Sequence, residues 1–90
     1  MISLTDCIGL CGLTPEEVEA IAEHEHVPEI VAATMGAYLL DSERGPETIR
    51  DMMIDDIRSA VHRHDLPHAR HVMAALRHFL AEHPGLALRP

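Results

Sequence analysis

The most constraining feature of this chain is a stretch of eleven residues without charge, Ile30 to Leu40. Placed on a helix at about 100° per residue, the stretch carries large side chains on one side and small ones on the other. It is therefore apolar on nearly every side, yet it is too short to cross a membrane. Such a helix has to be surrounded by other elements. We predict a helix over residues 28–40 at the centre of a compact fold.

Helix start signals lie on both sides of this stretch. Thr14 and Glu17 occupy the N-cap and N3 positions of a capping box, with proline at N1, and predict a helix that runs to about residue 26. Pro46 opens a helix that reaches about residue 64, and Asp65 is the N-cap of a helix over residues 66–82. The apolar residues of this last helix recur at i, i+3, i+4 and i+7, which is typical of an amphipathic helix.

The two ends of the chain complete the predicted architecture. Ser3 and Asp6 form a capping-box-like start for a short N-terminal helix that ends at Gly12. A Pro-Gly pair stops the last helix, so we expect residues 84–90 to form a frayed tail. The sequence therefore predicts one all-α domain over residues 1–90, a short N-terminal helix followed by a compact antiparallel four-helix bundle.

Composition excludes one large class of partners. The chain has one Tyr, one Phe and no Trp, so its core is aliphatic and it lacks the stacking platforms of proteins that bind single-stranded nucleic acid. Its 15 acidic and 7 basic residues give a net charge of −8, which opposes phosphate binding. We therefore expect no nucleic-acid partner. The absence of Lys and Asn, which have A-rich codons, indicates a GC-rich, bacterial genome.

The sequence predicts a cytoplasmic protein without a membrane partner. The first residues contain no basic region followed by a long apolar run, so no signal peptide is predicted. Cys7 and Cys11 lie one helical turn apart and are interpreted as reduced thiols that face the core.

Charge is distributed unevenly along the chain. Residues 1–47 contain ten acidic residues and one Arg, whereas residues 48–90 contain five acidic residues, six Arg and six of the eight His. The predicted helix over residues 14–26 is rich in Glu, and the predicted helix over residues 66–82 is rich in His and Arg. We predict that these two helices attract each other, within one chain or between two subunits. The alternative is a solvated acidic face, because exposed ion pairs contribute little.

The residues most typical of a chemical site lie on the Glu-rich helix. Glu23 and His26 are three residues apart and Glu19 lies one turn earlier, so all three share one flank. This Glu-x-x-His spacing is similar to that of ferritin-like di-iron proteins, and the resemblance implies a helical site for Fe, Mn or Zn. Ferritin-like sites use two such motifs, so a homodimer would have to supply the second.

Two histidines of the predicted helix over residues 66–82 complete this site if they face the Glu-rich helix. The candidate metal ligands are Glu19, Glu23, His26, His68 and His71. The alternative interpretation is a solvated acidic helix end whose histidines reflect codon usage.

Glu25 is the least expected residue of the Glu-rich helix. It lies near the middle of the apolar stripe, between Val18 and Ile21 on the helical wheel. A carboxylate there either sits at a frayed helix end or needs a partner, because burying an unpaired charge is costly. We predict a partner among the Arg and His residues of the helix over residues 66–82.

The middle of the chain also supports a resemblance to a group of proteins. The segment over residues 23–32, Glu-His-Glu-His-Val-Pro-Glu-Ile-Val-Ala, resembles short helical proteins of GC-rich proteobacteria. The resemblance implies a helical fold and no particular activity. No phosphate-binding Gly-rich loop and no Gly-x-Ser-x-Gly motif is present, which favours a non-catalytic function over an enzyme.

Two functions remain from the sequence. The first is a protein-interaction module or small subunit that forms a homodimer or binds another protein through the small-residue side of the helix over residues 28–40. The predicted interface residues are Ala32, Ala33, Gly36 and Ala37, which would let a second helix approach closely. The second function is a divalent-metal-binding helical protein that uses the carboxylate–histidine set above.

Overall fold

A computed structural model describes residues 12–86 of the chain, and these residues form four α-helices and one short 3-10 helix. The helices are α1 (Pro15–Glu25), α2 (Glu29–Leu40), α3 (Gly45–His62) and α4 (Leu66–Glu82), and the 3-10 helix covers Pro84–Leu86. The described part of the chain contains no strand, so the all-α bundle is confirmed. The predicted N-terminal helix lies outside the described residues.

Local capping interactions fix where α1 and α4 begin. The backbone N–H of Glu17 donates to Thr14 Oγ1 over 3.2 Å, and the Thr14 N–H donates to Glu17 Oε1 over 2.9 Å, which completes the predicted capping box. His26 ends α1 in the left-handed region at φ 57°. At the start of α4, Asp65 accepts a hydrogen bond from the N–H of His68.

The end of α3 differs slightly from the prediction. The helix ends at His62, two residues before the predicted end, because His64 adopts a left-handed backbone conformation with φ 62°. His64 is consequently exposed, although its sequence position continues the apolar stripe of α3.

One aliphatic core joins the four helices. Its members include Val18 and Ile21 of α1, Ala32 and Ala33 of α2, Ile49 and Met53 of α3, and Val72, Leu76 and Phe79 of α4. The core's single large aromatic, Phe79, is fully buried. Helices α3 and α4 make the most extensive pairing, while α2 packs mainly against α1 and α3. The predicted central position of α2 is wrong, because one side of this helix, with Ile30 and Tyr38, is exposed.

The orientation of α2 corrects the predicted interface. Ala32, Ala33 and Gly36 are buried within the chain, and only Ala37 of the predicted set is exposed. A Cβ atom at Gly36 would overlap Leu13 Cδ1, which shows how closely the Leu13 side chain packs against this side of α2. The small side chains of α2 therefore allow close packing inside one molecule, and they do not form a surface for a second one.

The C-terminal end of the described chain packs against the core. Residues 84–86 form a 3-10 helix, and Leu86 packs against the core while its carbonyl accepts a hydrogen bond of 3.4 Å from Arg50 Nη1. The frayed tail stays a prediction, and residues 87–90 lie outside the described part. Among the described helices, none has the length and apolar character needed to cross a membrane.

Candidate functional site

Helices α1 and α4 face each other through three contacts between a carboxylate and an imidazole. The pairs, which we call the carboxylate–histidine seam, are Glu17–His78 at 3.2 Å, Glu19–His71 at 3.4 Å and Glu23–His68 at 2.5 Å. Residue numbers rise along α1 as they fall along α4, so the two helices are antiparallel. The predicted attraction between the Glu-rich and His-rich helices is confirmed, and it acts within one chain.

The three pairs of the seam differ in burial. The Glu17 side chain is only 2% exposed, whereas Glu19 is half exposed and Glu23 lies between them. Glu17 uses both carboxylate oxygens, since Oε1 accepts from the Thr14 N–H and Oε2 accepts from His78 Nδ1. The hydrogen bond to Glu17 raises the pKa of His78 above its usual value.

A buried carboxylate of α3 lies beside the Glu23–His68 end of this seam. Asp56 is 4% exposed, and its Oδ2 has no hydrogen-bond partner among the described residues. Burial raises the pKa of Asp56 to about 7; the negative charge of Glu23 raises it as well, while His24 and His68 act in the opposite direction. Buried polar atoms in proteins nearly always have a hydrogen-bond partner, which can be an ordered water as well as a protein group.

A fourth carboxylate–imidazole pair connects α1 to α3 at the same place. His24 Nε2 lies 3.2 Å from Asp55 Oδ2, and the other ring nitrogen of His24 is buried without a hydrogen bond to any described residue. A polar cavity of about 230 Å³ opens here, lined by carboxylates, histidines, Ser59 and Arg63. We call Asp56 and its neighbours Glu23, His24, Asp55 and His68 the Asp56 cluster.

The structure separates the predicted metal ligands into pairs. Glu23 contacts His68 and Glu19 contacts His71, while His26 is exposed at the edge of the polar cavity. Within residues 12–86, no three His, Cys, Asp or Glu side chains are placed to hold one metal ion. The predicted set for Fe, Mn or Zn is therefore not assembled in this part of one chain, because each seam carboxylate is bonded to its own imidazole.

Asp56 is a candidate-site residue that the sequence analysis missed. It lies seven residues after Ile49 and three after Met53, so it shares the buried side of α3 with them. A carboxylate at a stripe position is a sequence signal that could have identified it. Glu25 is exposed at the end of α1, close to His24, and it has no partner on α4. The predicted partner on that helix is therefore wrong, and the alternative of a position at the helix end is the one that the structure shows.

A second candidate site differs in character from the first. The large side of α2 is open and forms, with Thr48 and Met52 of α3 and Glu25 at the end of α1, a mainly apolar groove of about 710 Å³ that we call the α2 groove. Its exposed apolar residues include Ile30 (50%), Val31 (42%) and Tyr38 (74%). Contiguous apolar surface on a small protein marks an interaction site.

Comparison of the chain with protein-family models, with curated protein sequences and with solved structures finds no match.

Proposed function

We propose that this protein is a small helical interaction module that self-associates through the α2 groove. The observation that supports the proposal is the open apolar side of α2, where Ile30, Val31 and Tyr38 face solvent. Burying apolar surface is worth about 25 cal/mol per Å², so a groove lined by such residues favours association. Tyr38 is the most exposed of the three and is of a residue type that often anchors interfaces.

Charge favours a second copy of this chain as the occupant of the groove. The net charge of −8 makes two copies repel each other over most of their surface. From Ile30 to Leu40, however, α2 carries no charge, and Glu25 is the one charged residue among those that line the groove. This face therefore lets two acidic molecules meet while bringing few charges together.

The length and pattern of α2 suit a two-fold contact. A helix of 12 residues is about 18 Å long, and its large side chains lie at both ends of the exposed side. Thr34 is halfway between Ile30 and Tyr38, so a two-fold axis near Thr34 would place Ile30 of one copy against Tyr38 of the other. Such a contact is self-complementary, which is the commonest geometry of homodimers.

Light scattering at tens of micromolar protein tests the proposal. We expect a dimer for the wild type and a monomer of unchanged helicity for Val31→Glu and Tyr38→Glu, because each puts a charge into the apolar contact. The matched control is Val61→Glu, which changes an equally exposed apolar residue on α3 outside the groove and should leave the dimer intact.

Two results would reject the proposal. A wild type that is a strict monomer would exclude self-association in this concentration range. A monomer that dimerises only after deletion of residues 1–11 would show that the chain's own N-terminal segment covers the groove.

A cross-link locates the contact. In a Cys7→Ser/Cys11→Ser background, Thr34→Cys should form an intermolecular disulfide under mild oxidation, since Thr34 lies near the proposed axis. Ala81→Cys, exposed on α4, is the control that should not cross-link.

A further inference from the structure

We infer that α1 is a proton-responsive latch, whose attachment to α3 and α4 tightens as pH falls and loosens as pH rises through the neutral range. The inference goes beyond the proposed self-association and does not depend on it. It is based on the seam, on the His24–Asp55 pair and on the position of Asp56, all of which lie where α1 meets the other two helices.

The first step concerns the four carboxylate–imidazole pairs. Three join α1 to α4 and the fourth joins α1 to α3. A protonated imidazole forms an ion pair with its carboxylate, and for His78 the hydrogen bond to Glu17 raises the pKa and favours this form. At higher pH the neutral imidazole keeps at most one hydrogen bond to its carboxylate, and the charge attraction is lost.

The second step concerns Asp56, which works in the same direction. It is buried on α3 and faces Glu23 and His24 of α1 and His68 of α4, with Asp55 beside it on its own helix. When Asp56 is protonated, it places no charge next to α1. Ionised, it becomes a buried charge next to the carboxylate of Glu23, which costs solvation and adds repulsion between α1 and α3.

The pKa of Asp56 near 7 places this change in the same range as the histidines. Since the folded-state pKa lies above the unfolded value of 3.8, the folded protein holds the proton more tightly, and that stabilisation is lost as pH rises towards about 7. A raised histidine pKa has the same sign, because protonation again favours the folded state.

Other charged groups near the latch do not reverse this direction. Glu16 and Glu82 surround His78 and favour its protonated form, as Glu17 does. His26 and Arg63 line the polar cavity beside Asp56, and Arg63 donates to Ser59. Together, the seam and the Asp56 cluster contain five carboxylates and four histidines. Each proton that is added there reduces the excess of negative charge.

The contacts of α1 with α2 differ from those with α3 and α4. They include apolar residues such as Ile21, whose side chain approaches Gly36, and no carboxylate–histidine pair joins α1 to α2 within residues 12–86. The pH response should therefore be concentrated in α1 and should spare the core pairing of α3 with α4.

Hydrogen exchange tests the latch in the whole protein. Protection factors, corrected for the intrinsic exchange rate, are measured at about pH 6, 7 and 8, the range in which histidines titrate. We expect the protection of α1 amides to fall about tenfold across this range, the change that one proton linked over one pH unit produces, while α3 amides change little.

Variants assign the effect to the named groups. Asp56→Asn keeps the shape of the side chain but cannot ionise, so it should raise α1 protection at the higher pH and flatten the profile. If Asp56→Asn does not fold, Glu23→Gln serves instead, because it removes the neighbouring charge and the ion pair with His68. The control is His62→Gln, an exposed α3 histidine without an ion pair to any described residue, which should reproduce the wild-type profile.

Three results would overturn the inference. The first is equal α1 protection across the pH range. The second is a parallel loss of protection in α1 and α3, which would indicate a global change in stability. The third is a profile that remains as steep in Asp56→Asn and Glu23→Gln as in the wild type. Repeating the series in Tyr38→Glu separates the latch from the proposed self-association, because the latch should persist in that monomer.

Discussion

The carboxylate–histidine seam and the α2 groove show two ways in which a small helical protein treats its surfaces. At the seam, charged side chains of α1 and α4 find partners inside one chain, and the buried member, Glu17, has both oxygens bonded. In the groove, apolar side chains of α2 are left without partners, and Tyr38 is 74% exposed. The seam is therefore polar, closed and rich in titratable groups, whereas the groove is open and mainly apolar.

This difference assigns separate roles to the two surfaces. Contacts made within a chain act on its stability, and contacts available to a second molecule act on association. Substitutions in the seam should change unfolding and its pH dependence, and substitutions in the groove should change the oligomeric state. A change that affected both equally would remove the distinction.

The largest expected effect concerns the two sides of α2. Gly36→Leu inserts a side chain where even a Cβ atom would lie 2.3 Å from Leu13 Cδ1, so we expect a loss of about 2 kcal/mol from overpacking. Thr34→Leu on the open side should change the free energy of unfolding by less than about 0.5 kcal/mol. Urea denaturation of dilute protein measures both.

Equal stability of these two variants would contradict the orientation of α2. It would mean that the small-residue side is free to accept a larger side chain, as the interface predicted from the sequence requires.

A smaller effect compares two pairs of the seam. Glu17→Ala removes a buried carboxylate, the reciprocal half of the capping box and the partner of His78, so we expect a loss of about 1 kcal/mol. Glu19→Ala breaks a pair in which both side chains are half exposed and should cost less than about 0.5 kcal/mol.

Both substitutions introduce the same residue into the same helix, so helix propensity affects them equally. Thermal unfolding at neutral pH measures the difference between them. If Glu19→Ala is the more damaging, burial does not determine the strength of the seam.

The fold was largely predictable because its signals are local. Capping residues and proline positions predicted the described helices, with ends within about two residues, since a cap acts through its own backbone neighbours. The side on which α2 is buried was not predictable in this way. Spacing shows which residues share a side of a helix, but α2 is apolar nearly all round and gives no direction to the core.

The candidate site was predictable only in part. Uneven charge predicted that α1 attracts α4, because long-range attraction depends on net charge. The charge distribution did not predict which imidazole contacts which carboxylate. The pairing depends on the antiparallel register of α1 and α4, whose paired residues are 45 to 61 positions apart in the chain. Asp56 is identifiable in the sequence only as a polar residue on the apolar stripe of α3. Such a residue by itself suggests that the stripe has been assigned to the wrong side of the helix.

The smallest predicted effect is also the most local, and it tests the seam at one atom. Because the hydrogen bond to Glu17 is the main cause of the raised pKa of His78, an NMR titration should show this imidazole losing its proton at higher pH than it does in Glu17→Gln. The weaker influence of Glu82 predicts that Glu82→Gln keeps most of the shift. Stability linked to His78 is then present at lower pH and declines as pH rises through its folded-state pKa. A His78 titration that is identical in the wild type and in Glu17→Gln would show that the pair does not persist in solution, and the seam would then lose its most buried contact.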